Sequence, residues 1–238
     1  DDERGEYLYK YVSNGYYQPG GPTDHLLDDG LLHVARFDTD GTGEWVALTP
    51  EATGMSEVEI CVFTRQAASA AGGTTMDRPE WVAVNPIAVE GYCALTNNSR
   101  RKEDQVNAAN PRAGSRFGHI IEIREADGNH AATSGTWSIL VKCGDPAISE
   151  VGAQWNPDTS DDGWFGSPDN CAIDSAGGLF VSTDGDERLN KCANGIWRVE
   201  TEGLERGRST MIFRSPTGAE VCGPRLSTDE RTFFLAVQ

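Results

Sequence analysis

Apolar and polar residues alternate in short runs along most of the chain, and few stretches keep a helical period. Runs such as Tyr7-Leu8-Tyr9-Lys10-Tyr11-Val12 and His119-Ile120-Ile121-Glu122-Ile123 are bounded by Gly, Asn and Asp. That pattern reads as strands joined by turns. One short helix is expected near Arg65 to Ala71, stopped by Gly72-Gly73. The fold class expected is therefore all-β.

The strands recur as a unit. Pro79-Glu80-Trp81-Val82-Ala83-Val84-Asn85 is followed by a turn and Gly91-Tyr92-Cys93-Ala94-Leu95. Pro168-Asp169-Asn170-Cys171-Ala172-Ile173 precedes Gly178-Leu179-Phe180-Val181-Ser182. Glu220-Val221-Cys222-Gly223-Pro224-Arg225-Leu226 precedes Thr232-Phe233-Phe234-Leu235-Ala236-Val237. Each is an acid, a short strand, a polar turn and a second strand, as in the two inner strands of a β-propeller blade. A second unit starts at Gly5, Gly30, Gly118 and Gly195 and reads as the third strand of a blade. With blades of ~40–50 residues, about four to five blades' worth of strands are expected. The expectation is one domain, 1–238, forming part of an irregular six-bladed β-propeller. Its long insertions, 96–116 and 145–166, read as functional loops.

Charge narrows the partners. The chain has 238 residues and a formal net charge of −17, a field that disfavours nucleic acid and anionic membranes. No apolar run is long enough to span a bilayer. There is no leader-like segment at the start, and the abrupt ends at Asp1 and Gln238 suggest a partial chain. The six cysteines form no CxxC; they permit up to three disulfides, with buried thiols the preferred reading.

The candidate chemistry lies at the heads of the repeats. Glu80, Asp169 and Glu220 would project toward one channel mouth, where bare carboxylates repel and a hard cation such as calcium relieves them. Acids that merely cap turns on a solvated rim are the competing reading. Arg78, fixed as extended by Pro79, is expected on the same side as Glu80. A guanidinium there suits a phosphoryl group; a surface ion pair is the alternative. Cys171 and Cys222 lie two residues after an acid and read as buried thiols in preference to ligands. His25, His33, His119 and His130 form no metal-ligand spacing and read as structural. Asn97-Asn98-Ser99 is a formal glycosylation sequon. No serine-hydrolase, P-loop or dinucleotide motif occurs.

Several runs together resemble the PhoX-type alkaline phosphatases. They are Asp2 to Tyr7, Met76 to Pro86, Leu95 to Arg100, Asn107 to Arg112, Phe117 to Ile121, Phe165 to Asn170 and Glu220 to Pro224. The resemblance covers essentially the whole chain in order. It implies a monomeric phosphomonoesterase, exported to the periplasm or beyond, acting on small phosphoesters with a Ca2+ and Fe3+ cluster as cofactor. It implies that Arg78 contacts phosphate and that Glu80, Asp169 and Glu220 are metal ligands. The family's cysteine-bearing segment would precede Asp1, and a His-Pro-Gly-Glu segment would follow Gln238. Ala219 stands where the family often has Cys, and Cys222 where Thr is common. These departures imply an incomplete metal cluster and weak activity for this chain alone. Two other readings remain: a calcium-dependent lactonase or esterase on the same scaffold, and a non-catalytic calcium-binding propeller.

Overall fold

The structure is a computed structural model and describes residues 3–238; Asp2, which opens one family-like run, lies outside the described residues. Strands β1 (Tyr9–Ser13), β2 (Gly30–Phe37) and β3 (Thr42–Ala47) come first. Three short helices follow, α1 (Pro50–Thr53), α2 (Glu57–Val62) and α3 (Thr64–Ala70). Ser56 and Glu59 form a capping box at the start of α2, reciprocally satisfying end N–H groups. The expected helix near Arg65 is α3.

The next strands form antiparallel meanders. The first is β4 (Pro79–Val84), β5 (Glu90–Leu95), β6 (His119–Glu125) and β7 (Ser134–Lys142). The second is β8 (Pro168–Ile173), β9 (Leu179–Thr183), β10 (Gly195–Val199) and β11 (Ser209–Arg214). A hairpin of β12 (Val221–Leu226) and β13 (Phe233–Val237) closes the chain. Each four-stranded run is blade-like, and β4 packs beside β8, which packs beside β12. This is the propeller-like arrangement expected.

The blade count is a correction. The runs at Gly5 and Gly30 are not third strands of separate blades. They pair with each other as β1 and β2, with Tyr9 opposite Val34. Through β3 and β7 they extend the first meander to seven strands, in the order β1-β2-β3-β7-β6-β5-β4. Alternation marks a strand but not its neighbours, so spacing alone overcounted the blades. The runs at Gly118 and Gly195 do lie third in their meanders, as β6 and β10.

Both faces of the first meander are buried. Ala94 and Ile120 pack with Leu179, Val181 and Trp197 of the second sheet. Cys93, Leu95 and Ile121 face the opposite way and pack with Trp45, Met76 and Trp137. Adjacent strand residues point to opposite faces, so a strand covered on both sides reads as a continuous apolar run. All six cysteines are free thiols.

The insertions are tied down. Arg112 donates to the carbonyls of Cys143 at 2.8 Å, Val151 at 3.1 Å and Gly118. Trp155 stacks edge-on with Phe165 at 4.9 Å, and its indole N–H donates to Gly144 O. His119 is fully buried and its Nε2 bonds to Ala109 O at 2.8 Å. A carbonyl only accepts, so Nε2 carries the proton. Burial pushes this imidazole down to about 3, and its role is structural as expected.

Candidate active site

The first meander and the second deliver their acids by the same local device. Arg78, ahead of Pro79, has φ +53°, and Ser167, ahead of Pro168, has φ +55°. Non-glycine residues rarely adopt this left-handed region, and such strain persists only where surroundings enforce it. In both strands the register shifts just after the proline, so Glu80 and Asp169 sit in β-bulges. A bulge re-aims a side chain at a strand end. Arg78 is therefore not extended, contrary to expectation. Its carbonyl accepts from Thr96 N at 3.1 Å, which holds the turned backbone at the strand entrance.

The expected neighbourhood of Arg78 and Glu80 nevertheless forms. Arg78 Nη2 lies 3.5 Å from Glu80 Oε1, and Nη1 donates to Asn97 Oδ1 at 3.3 Å. Asn97 and Glu80 thus engage different nitrogens of the one guanidinium. The side chain of the sequon's acceptor residue is engaged in this contact.

Asp169 and Glu220 come together from separate sheets. Ligand atoms of Asp169, Glu220 and Cys222 lie within 4.8 Å of one another. Asp169 is buried, and the other two are half-buried. Glu220 is fixed by reciprocal backbone bonds with Gln238, at 2.9 and 3.1 Å. Asn170 joins the sheets: its Nδ2 donates to Asp169 Oδ1 at 2.9 Å, and its Oδ1 accepts from Gly223 N at 2.7 Å. Glu80 is not a member of this group; it pairs with Arg78.

Cys222, read from the sequence as a buried thiol in preference to a ligand, joins this group. Its Sγ donates to Glu220 Oε1 at 2.9 Å and accepts from Gln238 Nε2 at 3.1 Å. Burial, and then the Glu220 carboxylate, push this thiol up to about 11. The signal was present, because residues two apart on a strand share a face. Cys171, its counterpart, is a buried core thiol as expected. Asp184 was also missed as a site candidate. It follows β9, bonds through its N–H to Ser167 O at 3.2 Å, and lines one cleft with Glu220.

The donor set fits a cation. Two carboxylates converge beside a thiol in a strongly acidic protein, and oxygen donors favour hard ions. A second carboxylate group, Glu90, Glu122 and Glu202, is paired with two arginines. Arg124 pairs with Glu90 at 3.3 Å, with Glu122 at 2.8 Å and with Glu202. Arg206 pairs with Glu122 at 2.5 Å. Two guanidiniums offset most of the charge of these three carboxylates, so the group reads first as a salt-bridge network.

The fold defines a β-propeller-type protein in which Asp169 and Glu220 meet from two sheets and Arg78 pairs with Glu80 at the start of the neighbouring strand β4. The family model of alkaline phosphatase PhoX matches residues 1–238, and the chain belongs to that family. It is similar to the solved structure of Pseudomonas fluorescens PhoX in complex with vanadate, a transition state analogue. The TM-score is 0.90 at 33% identity, over 100% of this chain and 45% of that one. The chain thus spans less than half the length of that relative. No curated protein matches it.

Proposed function

We propose that the protein carrying this chain is a metal-dependent phosphomonoesterase that releases inorganic phosphate from small organic phosphoesters. The convergence of Asp169 and Glu220 from two sheets carries this reading, and membership of the PhoX family supports it. The solved relative is described with vanadate, a transition state analogue, which suits phosphoryl transfer.

In this reading Glu80, Asp169 and Glu220 hold calcium and ferric ions. Bound there, the ions supply Lewis-acid stabilisation of phosphoryl charge. Arg78 grips the phosphoryl oxygens, and its planar fork suits two of them at once. Asn97 and Glu80 flank the guanidinium and hold its plane before substrate arrives, which is electrostatic preorganisation. The reading includes an exported, monomeric protein. No helix among the described residues is long and apolar enough to cross a membrane.

The test is turnover of p-nitrophenyl phosphate with calcium and ferric iron, using the longest natural polypeptide that contains this chain. Glu80→Ala and Asp169→Ala should each lower turnover about 100-fold or more, as loss of a group acting on transition-state charge does. Undiminished turnover in both rejects the assignment.

A further inference from the structure

A second pocket gathers arginines in a protein whose net charge is −17. It lies between the N-terminal segment, α3 and the loop after β5. Arg4, Arg65, Arg100 and Arg101 line it, with Asn98 and Gln105.

Two of these arginines are neutralised. Arg65 Nε pairs with Glu6 Oε1 at 2.9 Å, and Arg101 Nε with Asp77 Oδ1 at 2.5 Å. Arg101 also donates to the carbonyls of Gln105 at 2.7 Å and Thr75 at 3.2 Å. Among the described residues, Arg4 and Arg100 have no carboxylate within ion-pair distance of their guanidinium groups. The Arg4 Nε is buried with no hydrogen-bond partner among them. A buried charged donor without an acceptor is costly, and native proteins rarely leave one. An oxyanion in the pocket would meet the two guanidinium groups, Arg4 and Arg100, that no carboxylate neutralises. Glu3 also lines the pocket, but its Oε1 accepts from the Arg4 backbone N–H at 2.7 Å.

The chemistry points to a tetrahedral oxyanion, because guanidinium forks match phosphate oxygens in pairs. The location points the same way. Arg4 is bridged through its backbone to Asp77, the neighbour of Arg78. Asn98 to Arg101 directly follow Asn97, which holds the Arg78 guanidinium. We infer that this pocket is a second phosphate-binding site, apart from the acid-lined mouth and needing no metal. The inference stands whether or not the mouth hydrolyses esters.

Equilibrium dialysis of the chelator-treated protein against inorganic phosphate tests it, since chelation silences any metal-held phosphate. Saturable binding is expected in the natural sequence and in Glu80→Gln. The double variant Arg4→Gln/Arg100→Gln should weaken it about tenfold or more, the effect of losing about 1.4 kcal/mol of charge-assisted hydrogen bonding. Should the double variant unfold, Arg100→Gln alone decides, because Arg100 is exposed. Parallel dialysis with phenyl phosphate separates sources. Binding of both probes assigns the pocket to free and ester-borne phosphate, and binding of inorganic phosphate alone to the free anion. No saturable phosphate binding, or binding unchanged in the arginine variants, overturns the inference.

Discussion

Cys222 Sγ lies 2.9 Å from Glu220 Oε1 and donates to it. The carboxylate stabilises the protonated thiol and, after burial, helps to push its titration up to about 11. Glu220→Gln removes that negative charge, so the thiol should ionise at lower pH. Alkylation of Cys222 by iodoacetamide at pH 8, followed by mass spectrometry, should speed several-fold in the variant. An unchanged rate means that the carboxylate does not govern this thiol.

In the proposed function Arg78 links strain to activity. Its φ of +53° costs a side-chain-bearing residue about 1 kcal/mol, which glycine does not incur. Arg78→Gly should leave the melting temperature equal or slightly higher while phosphatase turnover falls about 100-fold or more. A large fall in melting temperature instead would assign Arg78 a structural role.

Asp169 and Glu220 should report a cation through stability. Calcium that binds only the folded chain raises its melting temperature, by an amount that grows with the logarithm of free calcium once this exceeds Kd. Asp169→Asn should abolish that rise, and should raise the melting temperature of the chelated protein by relieving repulsion. Differential scanning calorimetry with and without chelator measures both. A calcium response that survives in the variant places the ion elsewhere.

His119 should make stability depend on acid. Its folded value is depressed to about 3 against 6.5 for an unperturbed imidazole. Between these values the unfolded chain binds a proton that the folded chain excludes. Stability is therefore fully present above pH 6.5 and falls as pH drops toward 3, by up to about 1.4 kcal/mol per pH unit. His119→Gln keeps a donor for Ala109 O and removes the proton-binding step. Its melting temperature should fall less steeply over this window than that of the natural sequence. Parallel curves would show that another group carries the acid sensitivity.

Arg101 and Asp77 form an ion pair that is almost wholly buried, at 4% and 1% side-chain exposure. Arg101→Ala leaves Asp77 without its charge partner. A loss of roughly 3–5 kcal/mol in urea unfolding is expected. Because Asp77 precedes Arg78, turnover should fall as well. A loss below about 1 kcal/mol would mean that water replaces the guanidinium.

The sequence revealed strand positions better than their connectivity. Both Tyr7 to Val12 and His119 to Ile123 alternate, yet one supplies a sheet edge and the other the middle of a meander. Pairing depends on long-range packing, which periodicity does not contain. The acids at positions 80, 169 and 220 stand out because each heads a repeat, and the structure brings two of them, Asp169 and Glu220, together. The backbone that aims them was not legible: φ at Arg78 and Ser167 runs against the usual preference before proline, and only tertiary contacts enforce it. The Cys222 thiol was read as structural because a small buried thiol is the commoner use of cysteine. The pairing of Arg78 with Asn97 joins residues 19 apart and had no local signature.

The turned residue and proline that open both β4 and β8 make each acid a fitting in a socket cut by the main chain. Exchanging Asp for Glu there would change reach without disturbing the wall behind it. On the proposed function, a designer can therefore retune which ion these acids prefer one position at a time, with the sheets left as they stand.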